Sequence, residues 1–278
     1  MTAAAARAAH LIVDGEPVIF ADTLAEVMLG ERAGELLAYH RTHGTHPVLA
    51  GARAQVTCRS RYAEDSLARG IERGIGQYVL LGAGLDTFAY RSPLAGRVRV
   101  FEVDHPATQD YKRGALLAPS GAVFVPVDFA RDSLATALDQ AGFDPTQPAF
   151  VSWLGVTMYL EKAAIEATAA VLGGFAPESE IVVDFMLPAD LRDAAGQAYA
   201  ELVGQAAAEW GEPWRSVFAP EAMAALLARH GFGPARDVGL RDMIPAGAWD
   251  RSDALRPAEL SRIAHAAIPA RTWCDRDT

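Results

Sequence analysis

The chain has 278 residues, of which 51% are hydrophobic and 22% charged, and a formal net charge of −10 at neutral pH. At about 150 residues per domain this is two units, or one large α/β domain with an addition, and it excludes wholesale disorder. The acidic balance argues against a nucleic-acid binder, which needs a surplus of Lys and Arg for phosphates.

The two cysteines, Cys58 and Cys274, lie near opposite ends and lack C-x-x-C spacing. They predict reduced thiols, with no disulfide frame and no metal site. The N-terminus is Ala-rich without a long apolar core, and no stretch of about 18 residues is apolar throughout. This predicts a cytoplasmic chain with no secretion signal and no membrane span. The oligomeric state stays open.

Residues 1–75 read as a helical N-terminal cap with no strand. Helices are expected over Asp22–Leu29, Gly34–His43 and Ala54–Arg73, the last stopped by Gly74 and Gly76. From Gln77 short apolar runs alternate with Ala/Leu-rich stretches. Strands are predicted at 78–81, 98–103, 123–127, 150–154 and 181–185, with helices at 86–90, 106–115, 133–141 and 161–172. Strands apolar throughout imply a sheet covered on both faces, and the alternation implies right-handed βαβ units. Residues 76–278 therefore read as a Rossmann-like α/β domain with a helical insertion at 187–217. An amphipathic helix follows from Pro220 to His230, then strands at 235–240 and 270–274. The cap and the insertion would form a lid over the sheet's carboxyl edge.

The chemistry centres on Leu80-Leu81-Gly82-Ala83-Gly84-Leu85-Asp86, a buried strand entering a turn with two glycines. Glycine permits the tight turn and lets a ligand approach the backbone. The next strand ends Phe101-Glu102-Val103-Asp104, and an acid there can accept from both ribose hydroxyls. The third ends Val127-Asp128-Phe129, where Asp128 can accept from an adenine amine and Phe129 can cover the ring. A dinucleotide turn would carry a third glycine where Thr87 stands, and Asp86 would repel a diphosphate. A GxxxxGK[ST] loop is absent. A ribose, an adenine, an ammonium and no phosphate describe S-adenosylmethionine.

Together, Arg59-Ser60-Arg61-Tyr62 with Asp65, Val79 to Thr87, and Phe101-Glu102-Val103-Asp104-His105-Pro106 resemble the leucine carboxyl methyltransferase family. The resemblance continues through Val125 to Asp128, Gly142 to Pro145 and Tyr159-Leu160. It implies a class I methyltransferase with a mostly parallel seven-stranded sheet, acting on carboxyl or hydroxyl oxygens in secondary metabolism. It also implies that Arg59, with Arg7, meets the cofactor's carboxylate and that Gly82, Ala83 and Gly84 line the methionine moiety. Asp104 would hold the ribose, with His105 framing the pocket, and Asp128 with Phe129 the adenine. The family usually carries a glutamate in its fourth-strand motif, where this chain has Leu154 in Ser152-Trp153-Leu154-Gly155. The ammonium would then fall to backbone carbonyls, of Gly82 and Trp153, or to Asp86.

Candidates for handling the acceptor are Tyr159, Arg61 and Arg91, with Trp210 and Trp214 as lid aromatics. His40, His43 and His46 read as a solvated helix end rather than a metal site, since Gly44 and Pro47 break their alignment. The reading is methyl transfer to a carboxylate of a small metabolite or peptide end, which needs no base. Alternatives are a hydroxyl acceptor served by a cap histidine, an NAD-dependent oxidoreductase, and a non-catalytic cofactor-binding module.

Overall fold

The computed structural model describes residues 1–115, 121–129, 131–209 and 211–270. Seven strands form one sheet: β1 (Gln77–Leu81), β2 (Arg99–Asp104), β3 (Val123–Pro126), β4 (Ala149–Trp153), β5 (Glu180–Met186), β6 (Arg236–Gly239) and β7 (Ser261–Ala267). Their order is β3-β2-β1-β4-β5-β7-β6. β1 to β5 run parallel, and β7 runs antiparallel between β5 and β6. This is the predicted Rossmann-like class I methyltransferase sheet. The direction of winding reverses between β1 and β4, and ligands of open α/β sheets bind in the crevice at that point.

Nine α-helices are described: α1 (Thr2–Val13), α2 (Ala33–His43), α3 (Pro47–Glu72), α4 (Phe88–Arg91), α5 (Pro106–Ala115), α6 (Leu134–Gln140), α7 (Lys162–Leu172), α8 (Ala194–Glu209) and α9 (Pro220–Arg229). No helix among the described residues is long and apolar enough to cross a membrane.

Alternation along the strands feeds two cores. Val79, Leu81, Phe101, Val103, Val151 and Val183 meet helices α6, α7 and α9 through Leu138, Ile165, Leu172 and Leu227. Tyr78, Leu80, Val100, Phe150 and Val182 face the other way, onto Cys58, Tyr62, Leu67 and Ile71 of α3. α1 and α2 pack through a smaller cluster of Ala5, Ala8, Ala9, Met28 and Leu37. Arg53 of α3 pins them, donating to Asp14 through Nε at 2.7 Å and Nη2 at 2.8 Å.

Several sequence expectations change. The Ala-rich N-terminus forms α1, because Ala has the highest helix propensity and five of its alanines are buried. The helix expected at Asp22–Leu29 is instead a 3-10 segment at Val27–Arg32, broken by Gly30 at φ +55°. α3 begins at Pro47, not Ala54. Pro47 occupies the first turn, where its missing N–H costs nothing, and His46 Nδ1 accepts from Val48 N. The last strand is β7 at 261–267 rather than 270–274. Of that expected strand only Ala270 is described, and it lies outside any strand. Cys274 and Trp210 lie outside the described residues.

Candidate functional site

β1 runs into a turn whose shape depends on its glycines. Gly82 sits at φ +66° and Gly84 at φ +51°, backbone that side chains resist. Gly82 N and Ala83 N both donate to Val103 O, at 2.8 and 3.0 Å, which ties the turn to the end of β2. Asp104 completes the tie. Its Oδ2 accepts from Gly84 N at 2.6 Å and its Oδ1 from His105 N at 2.7 Å. The carboxylate is therefore fixed in orientation, and each oxygen keeps a lone pair for a ligand hydroxyl.

A cavity of about 200 Å³ opens over this turn, between α1, α3 and the ends of β1 and β4. Pockets that enclose a whole drug-sized ligand start near about 300 Å³. The cavity thus suits one end of an adenosyl cofactor, with the rest on the open edge by Asp104. Its floor is Gly82, Ala83, Gly84 and Leu85. Tyr78, Leu80, Ser152, Leu154 and Gly155 form the sheet side, and Arg59, Ser60, Ala63 and Glu64 the α3 side.

Arg59 donates through Nη1 to Asp184 Oδ2 at 2.7 Å, its only hydrogen bond among the described residues. Asp184 is fully buried on β5, and its other oxygen accepts from Gly155 N at 2.7 Å. The guanidinium also lies against Gly155, where a Cβ would stand 2.5 Å from Nη2. Asp184 therefore aims Arg59, leaving Nη2 and Nε free for an anion. Arg7 also lines the cavity, held by Asp22 through Nε at 2.7 Å and by Leu85 O through Nη2 at 2.6 Å.

The opposite charge is present too. Glu64 and Asp86 line the same cavity. Burial pushes the Glu64 carboxyl up to about 7, against the pull of its hydrogen bonds from Arg91. Asp86 Oδ1 accepts from Phe88 N at 2.7 Å at the start of α4.

The remaining sequence candidates spread outward. Asp128 and Phe129 stand past β3, with Asp128 3.7 Å from Arg131 and Phe129 packed on the core's edge. His105 caps α5, its Nδ1 accepting from Ala107 N at 3.2 Å. The Trp153 side chain is buried in the core and does not line the cavity. Arg91 is committed to Glu64, to Thr87 and to the Phe20 ring at 4.6 Å. Arg61 pairs with Asp65 at 2.7 Å and is half exposed.

Tyr159 is partly exposed. Burial first, then the charge of Glu212, raises its hydroxyl's pKa, against a hydrogen bond with Trp214 and the charge of Arg59. Tyr199 of α8 packs on Gly51, and burial pushes its hydroxyl up to about 12. Trp214 packs against Gly204 of the same helix. Among the described residues no histidine lines the cavity. His40 is buried beside Arg53, and burial first, then that charge, lowers its pKa. His43 stacks on Tyr39, and His46 caps α3. No cluster of metal-ligating side chains occurs among the described residues.

Thr87, where a dinucleotide turn has glycine, is buried and donates to Asp22 Oδ1 at 2.6 Å. α4 is a single turn, too short to present a helix N-terminus to a pyrophosphate.

Sequence reasoning missed Glu64 and Asp184. Asp184 had a signal, being an acid set among apolar residues in the carboxyl half of a parallel strand. Glu64 had none, since an acid on a helix is ordinarily solvated.

Comparison with known proteins agrees with this architecture. A Bordetella parapertussis protein described as a possible exported protein shares the fold with a TM-score of 0.52 at 15% identity, over 97% of this chain and 95% of its own. A Bacillus subtilis protein, "Putative S-adenosyl-L-methionine-dependent methyltransferase YktD", is 36% identical over 183 residues, 62% of this chain and 59% of the relative. A Mycobacterium tuberculosis protein of the same description is 32% identical over 202 residues, 66% of this chain and 56% of the relative. The chain thus spans under two thirds of these relatives' length. The model of the leucine carboxyl methyltransferase family matches residues 1–173, from α1 through the glycine turn and the ends of β2 and β4 to α7. With more than half its length matched, including every residue that lines the cavity, the chain belongs to the leucine carboxyl methyltransferase family.

Proposed function

We propose that this chain is an S-adenosylmethionine-dependent O-methyltransferase that esterifies a carboxylate of a small metabolite or peptide end. The observation that carries the reading is a cavity over Gly82–Gly84 with a guanidinium on one side and acids on another, and with Asp104 fixed beside its floor by Gly84 N. An amino acid joined to a ribose has that pattern of charge and hydroxyls. The relatives' descriptions support the same cofactor.

S-adenosylmethionine, when bound, supplies an electrophilic methyl group. Arg59, aimed by Asp184, and Arg7 would receive its carboxylate, and Asp104 the ribose hydroxyls. Asp128 and Phe129 would flank the adenine. An acceptor carboxylate is ionised near neutral pH and needs no proton removed. The protein's part is then to align it and exclude water, which lowers the barrier by several kcal/mol. Tyr159, whose hydroxyl stays protonated, would donate a hydrogen bond to the acceptor rather than act as a base. The buried free thiol of Cys58 suits a reducing, cytoplasmic setting.

The test uses methyl-labelled S-adenosylmethionine and a panel of carboxylic and hydroxylic acceptors. A methyl ester releases label as volatile methanol under mild alkali. Label retained through that treatment would refute the carboxylate reading and favour an ether.

A further inference from the structure

The charges on one wall of the cavity do not balance. Three carboxylates meet there: Glu64 and Asp86 on its surface and Asp22 behind them. Two guanidinium groups face them. Arg7 bonds Asp22 at 2.7 Å, while Arg91 bonds Glu64, through Nη1 at 3.3 Å and through Nη2, and stands 3.7 Å from Asp22. Asp86 has no ion-pair partner among the described residues. With Glu64 ionised, the three acids outnumber the two guanidinium groups by one, next to a cavity lined also by Leu154, whose side chain can accept nothing.

The positive end is on the same helix. Arg59 and Glu64 are five residues apart on α3, about 7.5 Å along its axis, and both line the cavity. A zwitterionic amino acid between them, with hydrogen bonds of about 2.8 Å at each end, spans such a gap. We propose that Glu64, backed by Asp86, receives the ammonium of the cofactor's amino-acid end. The proposal rests on the S-adenosylmethionine reading above. In the competing account Glu64 only holds Arg91 over Phe20, and the ligand never feels it.

The two accounts differ in a ligand–residue cycle. S-adenosylhomocysteine and its deamino analogue, S-adenosyl-4-thiobutyrate, are titrated calorimetrically into the wild-type chain and into Glu64→Gln at pH 8. Removing the amino group should weaken binding to wild type at least about tenfold, as for one charge-assisted hydrogen bond. In Glu64→Gln the same removal should cost no more than about threefold. A ratio equal in the two proteins overturns the proposal. If Glu64→Gln does not fold, Glu64→Asp keeps a charge for Arg91 but withdraws it by one methylene. Its ratio should fall below that of wild type, and an unchanged ratio overturns the proposal. Wild type that binds both ligands equally well refutes the role of Glu64 alone. Wild type that binds neither refutes the cofactor reading and this inference with it.

Discussion

Gly82→Ala separates what the first glycine does for the fold from what the second does for the ligand. At Gly82 a Cβ would stand 2.3 Å from Val156 Cγ2, with φ at +66°. Ordinary carbon contacts lie at about 3.5–4.0 Å, so the overlap exceeds an ångström. Val156 is β-branched, stiff at χ1 and packed on the core's edge, so it cannot simply swing away. Left-handed backbone costs about 1–2 kcal/mol for alanine and overpacking about 1–3, giving about 2–5 in total. At Gly84 the nearest atom to a Cβ is Gly82 O at 3.8 Å, so Gly84→Ala should lose only the backbone part, about 1–2 kcal/mol. Urea unfolding measures both. In a Val156→Ala background the Cγ atoms are gone and the remaining Cβ, at 3.5 Å, is in ordinary contact. The Gly82→Ala penalty should then shrink by at least about 1 kcal/mol. A penalty at Gly82 no larger than at Gly84, or one unmoved by Val156→Ala, would refute the steric account. Gly84→Ala should instead show its main effect as weakened S-adenosylhomocysteine binding, because that residue forms the cavity floor.

Two further outcomes are expected. Glu64 faces Arg91, Asp86, Asp22 and Tyr78, and its carboxyl titrates near 7 in the free chain. A protonated carboxyl cannot hold an ammonium as an ion pair, so affinity for S-adenosylhomocysteine should rise from pH 6 toward 8, by at most about tenfold per unit, and level off above 7. Because the folded-state value lies above the ordinary one, Glu64 also erodes the free chain's stability as pH rises through 7, and ligand should raise Tm more at pH 8 than at pH 6. Affinity flat across that range removes Glu64 from the site. Asp104→Ala should weaken the same ligand at least about tenfold and more than Asp128→Ala. Asp104 is fixed by two backbone amides and can meet two hydroxyls, each charged hydrogen bond contributing about 1.5–3 kcal/mol, whereas Asp128 meets one amine. Calorimetry showing equal losses, or the reverse order, refutes this placement.

The sheet was legible because β1 to β5 are short, largely apolar runs that alternate with Ala/Leu-rich helical stretches. β7 was not. Ser261–Ala267 carries Arg262 and His265, and its alanines read as weakly helical. Its strand character comes from pairing with β5, where His265 sits opposite Val182 and bridges Tyr62 and Glu180 at 2.9 and 3.0 Å. That pairing is non-local and leaves no local periodicity. The 3-10 segment at Val27–Arg32 was misread for the converse reason. Its residues favour a helix, but Gly30 turns to positive φ where Tyr111, whose hydroxyl donates to Met28 O at 3.1 Å, lies 3.2 Å from a built Cβ.

The candidate site divides along the same line. Gly82, Gly84 and Asp104 were readable because one turn and one neighbouring strand end place them all. Asp184 reaches Arg59 across 125 positions, and only the fold makes that a pair. A charge inside an apolar parallel strand does announce a buried partner, yet the announcement is ambiguous. Glu102 in β2 gives the same signal, and its partner is Lys112 of α5 at 2.6 Å, both buried and neither lining the cavity over the glycine turn. The place of the partner separates the two cases. Asp184 lies in the carboxyl half of β5 and accepts from Gly155, in the loop after β4, at the edge where such sheets bind ligands. Glu102 also lies past the middle of β2, but its partner is on a covering helix, so its charge is met within the protein. A buried acid in a parallel strand therefore argues for a site when its partner also lines the carboxyl-edge crevice, as Arg59 does, and for packing when its partner lies on the helix above.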